Sequence, residues 1–486
     1  MKRRNEQRVG VVANNRLRLF IAGLLLLTQI GCATGMSTFS PPVAVDIPAA
    51  WSASDGKVKT DGSSLVEWWS HFNDPQLDRL ILQAMQTNTS VKSAKAMLRQ
   101  ARALRDVSAA SLWPSINSSA SAKRSKSGDN SAVNTFALGL DAGWEIDIFG
   151  ANRSALDTSE ATTRASYASL GDVQVSIAAE VALNYITLRD AQTRLAIAND
   201  NLGSQQETFQ LTHWRMQAGL ATSLEVNQAK SATEQTRALL PPLQTTIEQT
   251  CHALAVLTGQ PPSALLTLLS APSPIPKTTD DLSLTIPAET IRQRADVRAT
   301  EHQVAAAVGR VKHAHAARLP NFTLSGSLGL NALTLGTLTD GASVVSALMA
   351  AVSMPLLDGG AARAQVRAEQ AALDQAILAY QAAVLTALKD VEDALVALRD
   401  DRVRLLHLQN AAESAANASM LACQLYNSGL VDFQTVLETQ RTQFNTQDRV
   451  ASASAEVSSD HVRLYKALGG GWISSNQEAI MTSQLP

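Results

Sequence analysis

The residues able to do chemistry in this chain are few and scattered. Of eight histidines, His313 and His315 lie two positions apart, on different faces of a helix, and His302 precedes His313 by eleven. That spacing suits surface or packing histidines, not a metal centre. There is no His-Glu-x-x-His helix, no Walker-type phosphate loop and no Gly-x-Ser-x-Gly elbow. Cys251 and Cys423 fall within helical stretches and read as small packed side chains. Two breaks in long helical stretches remain, Met216-Gln217-Ala218-Gly219-Leu220 and Tyr426-Asn427-Ser428-Gly429-Leu430. Each glycine ends a helix by tolerating left-handed geometry. Asp432 then stands where a returning helix takes its N-cap. No catalytic residue, metal site or cofactor is expected.

One cysteine has a different setting. Residues 1–18 are basic, and Leu19 to Leu27 form a short apolar core, well below the roughly 20 residues of a membrane-spanning helix. This is an export signal, residues 1–31. Gln29-Ile30-Gly31-Cys32-Ala33 follows and resembles a lipoprotein processing box. Cys32 is therefore expected to carry a covalent N-terminal lipid, with palmitate among its acyl chains, followed by a tether over residues 32–62. Several acyl chains together anchor a protein stably. Ala33 is compatible with transfer to the outer membrane. No later segment offers an uncharged apolar run of membrane-helix length.

Length and composition set the scale of what must position these groups. The chain has 486 residues, 45% hydrophobic and 17% charged, too apolar for disorder. Six of its 41 basic residues and one of its 43 acids fall in residues 1–31, which leaves −7 on the remainder. That sign argues against nucleic acid as a partner. Internal similarity is the main organising feature. Trp113-Pro114 and Leu319-Pro320 close helical segments 206 positions apart. Ile148-Phe149-Gly150 and Leu357-Asp358-Gly359 open long helices at an offset of 209, and the two glycine breaks lie 210 apart. A duplicated unit is expected, residues 63–259 and 288–472. Between them is a Pro-rich linker or small accessory layer, 260–287, and after them a tail, 473–486.

Each unit reads helix, two strands, very long helix, break, long helix. The stretch 151–212 would be about 93 Å long if continuous. Leu373, Ile377, Tyr380, Val384, Leu388, Val391, Leu395 and Leu398 form one apolar stripe, which needs a partner along its length. Phe136, Leu138, Leu140, Ala142, Trp144, Ile146 and Ile148 alternate with Thr135, Ala137, Gly139, Asp141, Gly143, Glu145 and Asp147. Phe322, Leu324, Leu328 and Leu330 alternate with Thr323, Ser325, Ser327 and Gly329. Residues 115–122 are a weaker strand partner, and 344–356 a mixed one ending at Pro355. One apolar face opposite one small, polar or acidic face suits a barrel wall between lipid and water. Four strands cannot close a barrel, so closure requires several chains.

With these elements in place, the chain resembles the outer-membrane factors of tripartite efflux systems, in particular the NodT-family lipoprotein branch. The resemblance rests on Trp68-Trp69, Asp74-Pro75-Gln76-Leu77-Asp78-Arg79-Leu80 and Trp144-Glu145-Ile146-Asp147-Ile148-Phe149-Gly150. It continues through Leu240-Pro241-Pro242-Leu243, His252 to Gly259, Met354 to Gly360 and Leu464 to Trp472. It departs at Arg294-Ala295-Asp296-Val297, where the family usually has proline in the place of Ala295.

The resemblance implies a homotrimer in the outer membrane, with a twelve-stranded β-barrel, four strands per chain, continuous with a long periplasmic α-helical barrel. It implies passive conduction, and as partners a periplasmic adaptor protein, an inner-membrane efflux transporter and outer-membrane lipid. The glycine turns then form the pump-proximal tip, with Gly219 and Gly429 as hinges. Asp432 and Glu438 match acidic positions near the aperture, Thr435 stands where some relatives have another acid, and Thr222 is the first-repeat counterpart of Asp432. Two alternatives stay open, an exit duct for peptide or protein secretion and a structural periplasmic lipoprotein.

Overall fold

The computed structural model describes residues 47–48, 50–51, 65–278 and 287–472. The export signal, Cys32, most of the tether and the tail lie outside the described residues. The chain enters with α1 (Pro75–Thr87) and α2 (Thr89–Ala110), then the hairpin β1 (Ser115–Ser125) and β2 (Val133–Ile146). α3 (Ala151–Gln217), α4 (Ser223–Arg237) and α5 (Leu240–Leu257) complete the first half. Two helical turns, Pro262–Leu265 and Leu266–Leu269, and the short α6 (Pro287–Gln293) lead into the second. That half contains α7 (Ala295–Ala316), β3 (Asn321–Ala332), β4 (Val344–Ser353), α8 (Ala361–Asn427) and α9 (Phe433–Ala467).

The duplication is visible in the element bounds. α2 and α7 have 22 residues each, and α3 and α8 have 67 each. The first pair starts 206 residues apart and the second 210, so the four extra residues enter between Asn321 and Ala361. A 67-residue helix is about 100 Å long at 1.5 Å per residue. α3 runs five residues beyond the expected 212 before Gly219 ends it.

The four strands form one antiparallel sheet in the order β1-β2-β3-β4. Its register keeps the two faces distinct. Leu138 pairs with Leu330, Leu140 with Leu328, Trp144 with Leu324 and Ile146 with Phe322, and Leu324 with Ala350. On the other face Asn117 pairs with Asp141, Asp141 with Ser327 and Ser327 with Ala347. Because side chains alternate along a strand, these sets lie on opposite faces throughout. β2 ends at Ile146, two residues before the alternation does. Asp147 turns instead toward the start of α3, where its carboxylate accepts from the Asn152 and Arg153 amides at 3.2 and 2.8 Å. Those orphan donors at a helix start hold the acid more strongly than a place in the ladder would.

The core brings residues 65–72 together with residues 465–472. Trp68 is fully buried, stacks on Tyr465 at 5.3 Å and meets Trp69 edge-on. Gly471 donates to the Leu65 carbonyl at 3.0 Å. The Trp472 ring lies against Gly171, where an added Cβ would be 2.5 Å from it, so that position excludes any side chain. Asp74 caps α1 through the Gln76 and Leu77 amides, ahead of Pro75 at the first helical position. The opening and terminal tryptophan motifs are thus two sides of one packed unit.

Residues 262–278 dock as a layer on the helices. Leu265, Leu269 and Ile275 are buried in the main core. α7 starts at Ala295 without proline. Arg294 pairs with Asp296 at 2.7 Å and Asp390 at 3.1 Å, and donates to the Ala467 carbonyl at 3.0 Å.

The apolar stripe of α8 is buried at Val384, Val391, Leu395 and Leu398. Leu373, Ile377, Tyr380 and Leu388 are only half-buried, while Leu378, Leu385, Val403 and Leu406 are exposed. α8 is long and apolar enough to cross a membrane by composition, with 11% of its most apolar window buried. Ala, Leu and Val crowd residues 371–388, but Asp374 falls among them and Lys389 follows, so the stretch is not an uncharged run of membrane-helix length.

Candidate conduit wall and closing tip

At the end of α3, Gly219 takes φ +75° and the Leu220 amide reaches back to the Arg215 carbonyl at 2.7 Å. At the end of α8, Gly429 takes φ +74° and Leu430 donates to Leu425 at 2.9 Å. Both are helix-closing turns that require a left-handed residue. Leu220 and Leu430 are 70% and 71% exposed, so each turn presents one bare leucine at its apex.

The returning helices start with different caps. Thr222 and Glu225 form a capping box, with Thr222 accepting the Glu225 amide at 3.3 Å and Glu225 accepting the Thr222 amide at 2.6 Å. Asp432 accepts both the Thr435 amide at 2.8 Å and the Thr435 hydroxyl at 2.6 Å. Those donors hold the Asp432 carboxyl below the usual carboxylate range. The structure therefore brings Asp432 and Thr435 together and places Thr222 on Glu225. Glu438 is exposed, one turn farther along α9. It shares a groove of about 490 Å³ with Gln228, its counterpart at an offset of 210, and with Arg441.

Sequence reasoning missed what ties the two hairpins together. The Arg215 guanidinium lies over the Tyr426 ring, 4.5 Å from its centroid, a cation–π contact. Tyr426, Phe433, Val436 and Ala229 are buried as one cluster, with Phe209 and Cys423 against it. Gln440 donates to the Thr208 hydroxyl at 3.1 Å. Burial pushes the Tyr426 hydroxyl up. The Tyr426–Phe433 pair, seven residues apart around a glycine, was the available signal.

Farther along the helices the polar groups serve packing. Arg189, 1% exposed, donates to the Tyr185 hydroxyl, Gln76, Gln192 and the Ala271 carbonyl. Tyr185 donates to Asp74 at 2.7 Å, and its pKa is pushed up to about 12 by burial and by that carboxylate. The carboxylates of Asp401, Glu456 and Asp460 lie within 4.8 Å of one another. Arg463 pairs with Glu456 and Asp460, and Arg404 with Asp401. Complete burial raises Asp460 to about 6. His313 contacts the Ala151 carbonyl at 2.9 Å, and burial lowers His302. Cys251 is buried, its thiol raised by desolvation. None of these is arranged as a nucleophile with a base.

The model of the family described as "Outer membrane efflux protein" matches residues 80–260 and 286–470, one span for each repeat. The chain belongs to the outer membrane efflux protein family. Its relatives include the pyoverdine export outer membrane protein OpmQ of Pseudomonas aeruginosa, 32% identical over 434 residues, covering 86% of this chain and 90% of that protein. Nodulation protein T of Rhizobium leguminosarum bv. viciae is 29% identical over 457 residues, 93% of each chain.

Among solved structures, the outer-membrane channel OprN is 33% identical with a TM-score of 0.80, covering 88% of this chain and 99% of its own. VceC of Vibrio cholerae is 26% identical with a TM-score of 0.78, covering 84% and 99%. This member of the outer membrane efflux family is an outer-membrane exit duct of tripartite efflux systems and a passive channel, not an enzyme.

Proposed function

We propose that the duct is a homotrimer in which three four-stranded sheets close a twelve-stranded barrel. The observation carrying this reading is the sheet itself, which is two-faced on β2 and β3, has apolar residues on both faces of β4 (Val345 and Met349 on one, Leu348 and Val352 on the other), and leaves β1 and β4 as edges. Open edges are not tolerated in hydrocarbon. Pairing β4 of one copy with β1 of the next continues the antiparallel order and removes every edge. The apolar face then meets lipid, and the face with Asn117, Asp141, Gly143, Glu145 and Ser327 lines water. The exposed apolar positions of α8, Leu378, Leu385, Val403 and Leu406, find partners in the same assembly.

In this reading Cys32 is lipidated and the chain is of the NodT-like lipoprotein branch. The Gly219 and Gly429 turns form the periplasmic tip, where exposed Leu220 and Leu430 meet an adaptor protein, and an inner-membrane transporter supplies the energy. The tip rests closed. Asp432 and Glu438, with Thr435 and Thr222 beside them, border the aperture, and Arg215 over Tyr426 holds the two hairpins in the closed arrangement. Opening changes local contacts at the turns and leaves the long helices folded.

Gel mobility with and without heating, joined to single-channel recording from the purified protein, tests this. A heat-sensitive trimer band and a low resting conductance are expected. A monomer at both temperatures with no conductance contradicts the reading.

A further inference from the structure

The outward face of the sheet stops being apolar at one level. From Ile146 to Phe136 is ten residues, about 33 Å along the strand at 3.3 Å per residue. At a tilt of 35–45° that spans about 25 Å of membrane, the height of an outer-membrane apolar band. The inner end is marked by Trp144 and by the contact between Phe149 and Phe322. One step beyond Phe136 on the same face is Asn134, and the residue paired with Asn134 is Arg124. Arg124 is exposed, and Lys126 follows in the exposed turn joining β1 to β2. Neither has an ion pair among the described residues. Lys123, next in sequence, pairs with Thr135 on the opposite face. The β3–β4 connection, residues 333–343, carries Leu333 and Leu335 exposed and Asp340 as its single charge.

We infer that Arg124 and Lys126 bind the phosphate groups of the glycolipid headgroups in the outer leaflet. The inference rests on the barrel reading above, which sets the outward face. Arg124 sits where the apolar band ends and anionic headgroups begin, and a guanidinium there is matched to a phosphate by charge and by its fork of donors. Lys126 adds a second cation about two residues outward, and a trimer presents three such pairs around its rim. The headgroup phosphate is the occupant because the arginine faces lipid. Lys123, facing the lumen, is withheld from it. The contact fixes the depth and tilt of the barrel in an asymmetric membrane.

The test uses the purified full-length protein and bisphosphorylated lipid A, read as lipid adducts in native mass spectrometry. Arg124→Ala with Lys126→Ala is expected to weaken lipid A binding about thirtyfold, at about 1 kcal/mol per basic group near an anionic surface. Lys123→Ala is expected to bind as the unsubstituted protein does. Dephosphorylated lipid A is expected to bind as weakly to the unsubstituted protein as lipid A does to the double variant. Unchanged binding by the double variant, or an equal loss in Lys123→Ala, overturns the inference. Competition by inorganic phosphate at the same concentration overturns it too, because the site would then hold a free anion. A heat-sensitive trimer band on the same samples separates the two readings. A trimer without phosphate-dependent binding refutes this inference alone, and absence of the trimer refutes the barrel as well.

Discussion

Arg189 and Arg399 occupy equivalent places in the two repeats, 210 residues apart on α3 and α8, and their surroundings are opposite. Arg189 is 1% exposed and joins α1, α3 and the layer at 262–278. Arg399 lies on the surface beside Asp400 at 2.8 Å. The helix does not decide this. The segment inserted between the repeats covers Arg189, and Gln192 reinforces it by donating to the Leu269 carbonyl at 2.8 Å. The same insertion accompanies a second asymmetry. The return from the first tip is divided into α4 and α5 around Pro241-Pro242, whereas α9 runs unbroken through Ala451-Ser452. Duplication set the backbone plan, and what was inserted afterwards set which polar groups are enclosed.

The largest effect is expected from breaking that enclosure. Arg189→Ala leaves Gln76, Gln192 and the Ala271 carbonyl without their donor, and is expected to cost about 3 kcal/mol. Arg399→Ala should leave the thermal midpoint of the purified protein unchanged. Equal losses at the two positions would show that the layer at 262–278 does not distinguish the repeats.

Asp460 and its first-repeat counterpart Thr250 sharpen the comparison next. Both are buried, but only Asp460 titrates. Its pKa of about 6 in the fold stands above the ordinary 3.8. Between those values the folded chain holds a proton that the unfolded chain has released, so stability falls as pH rises from about 4 to about 6. Below that window both states are protonated, and above it the deficit stays constant. Asp460→Asn is expected to flatten this dependence and to raise the midpoint at pH 7 by roughly a few degrees. An unchanged slope between pH 4 and 6 would assign the titration to another group.

The tips differ in where the carboxylate sits, on the N-cap residue Asp432 in one and on Glu225, three residues inside the helix from the Thr222 cap, in the other. Asp432→Ala is expected to change single-channel conductance and its dependence on divalent cations more than Thr222→Ala does. Glu438→Ala should act in the same sense and more weakly. If both acidic variants match the unsubstituted protein, Asp432 is a helix cap alone. Arg215→Ala, which frees the Tyr426 face, is expected to raise the frequency of opening. No change would show that the apolar cluster around Phe433 holds the hairpins without it.

Much of the fold was legible because period and punctuation agree in this sequence. Strict alternation from Thr135 to Ile146 and apolar steps of three and four on α8 leave little freedom in element type. Glycines at 219 and 429 stand where only a left-handed residue closes the helix. What was not legible depends on contacts distant in sequence. A buried arginine on an Ala-rich helix has the same local pattern as an exposed one, so Arg189 and Arg399 look alike. Asp147 continues the alternation of β2 and yet caps α3, since orphan amides compete successfully for it. The half-exposed stripe of α8 reads as a core stripe because periodicity alone does not say which of its positions the chain itself covers. Arg215 and Tyr426 meet across 211 positions, which no local pattern encodes.

The barrel wall itself is tested most directly by the water accessibility of two neighbouring residues. Cysteine is placed at Leu140 or at Asp141, with Cys251 and Cys423 replaced by serine, and intact cells are treated with a small membrane-impermeant thiol reagent. Labelling at position 141 with protection at position 140 is the expected result, since the proposed barrel turns Asp141 to the lumen and Leu140 to lipid. Labelling at 140 with protection at 141, or equal labelling at both, would contradict a sheet that closes around water.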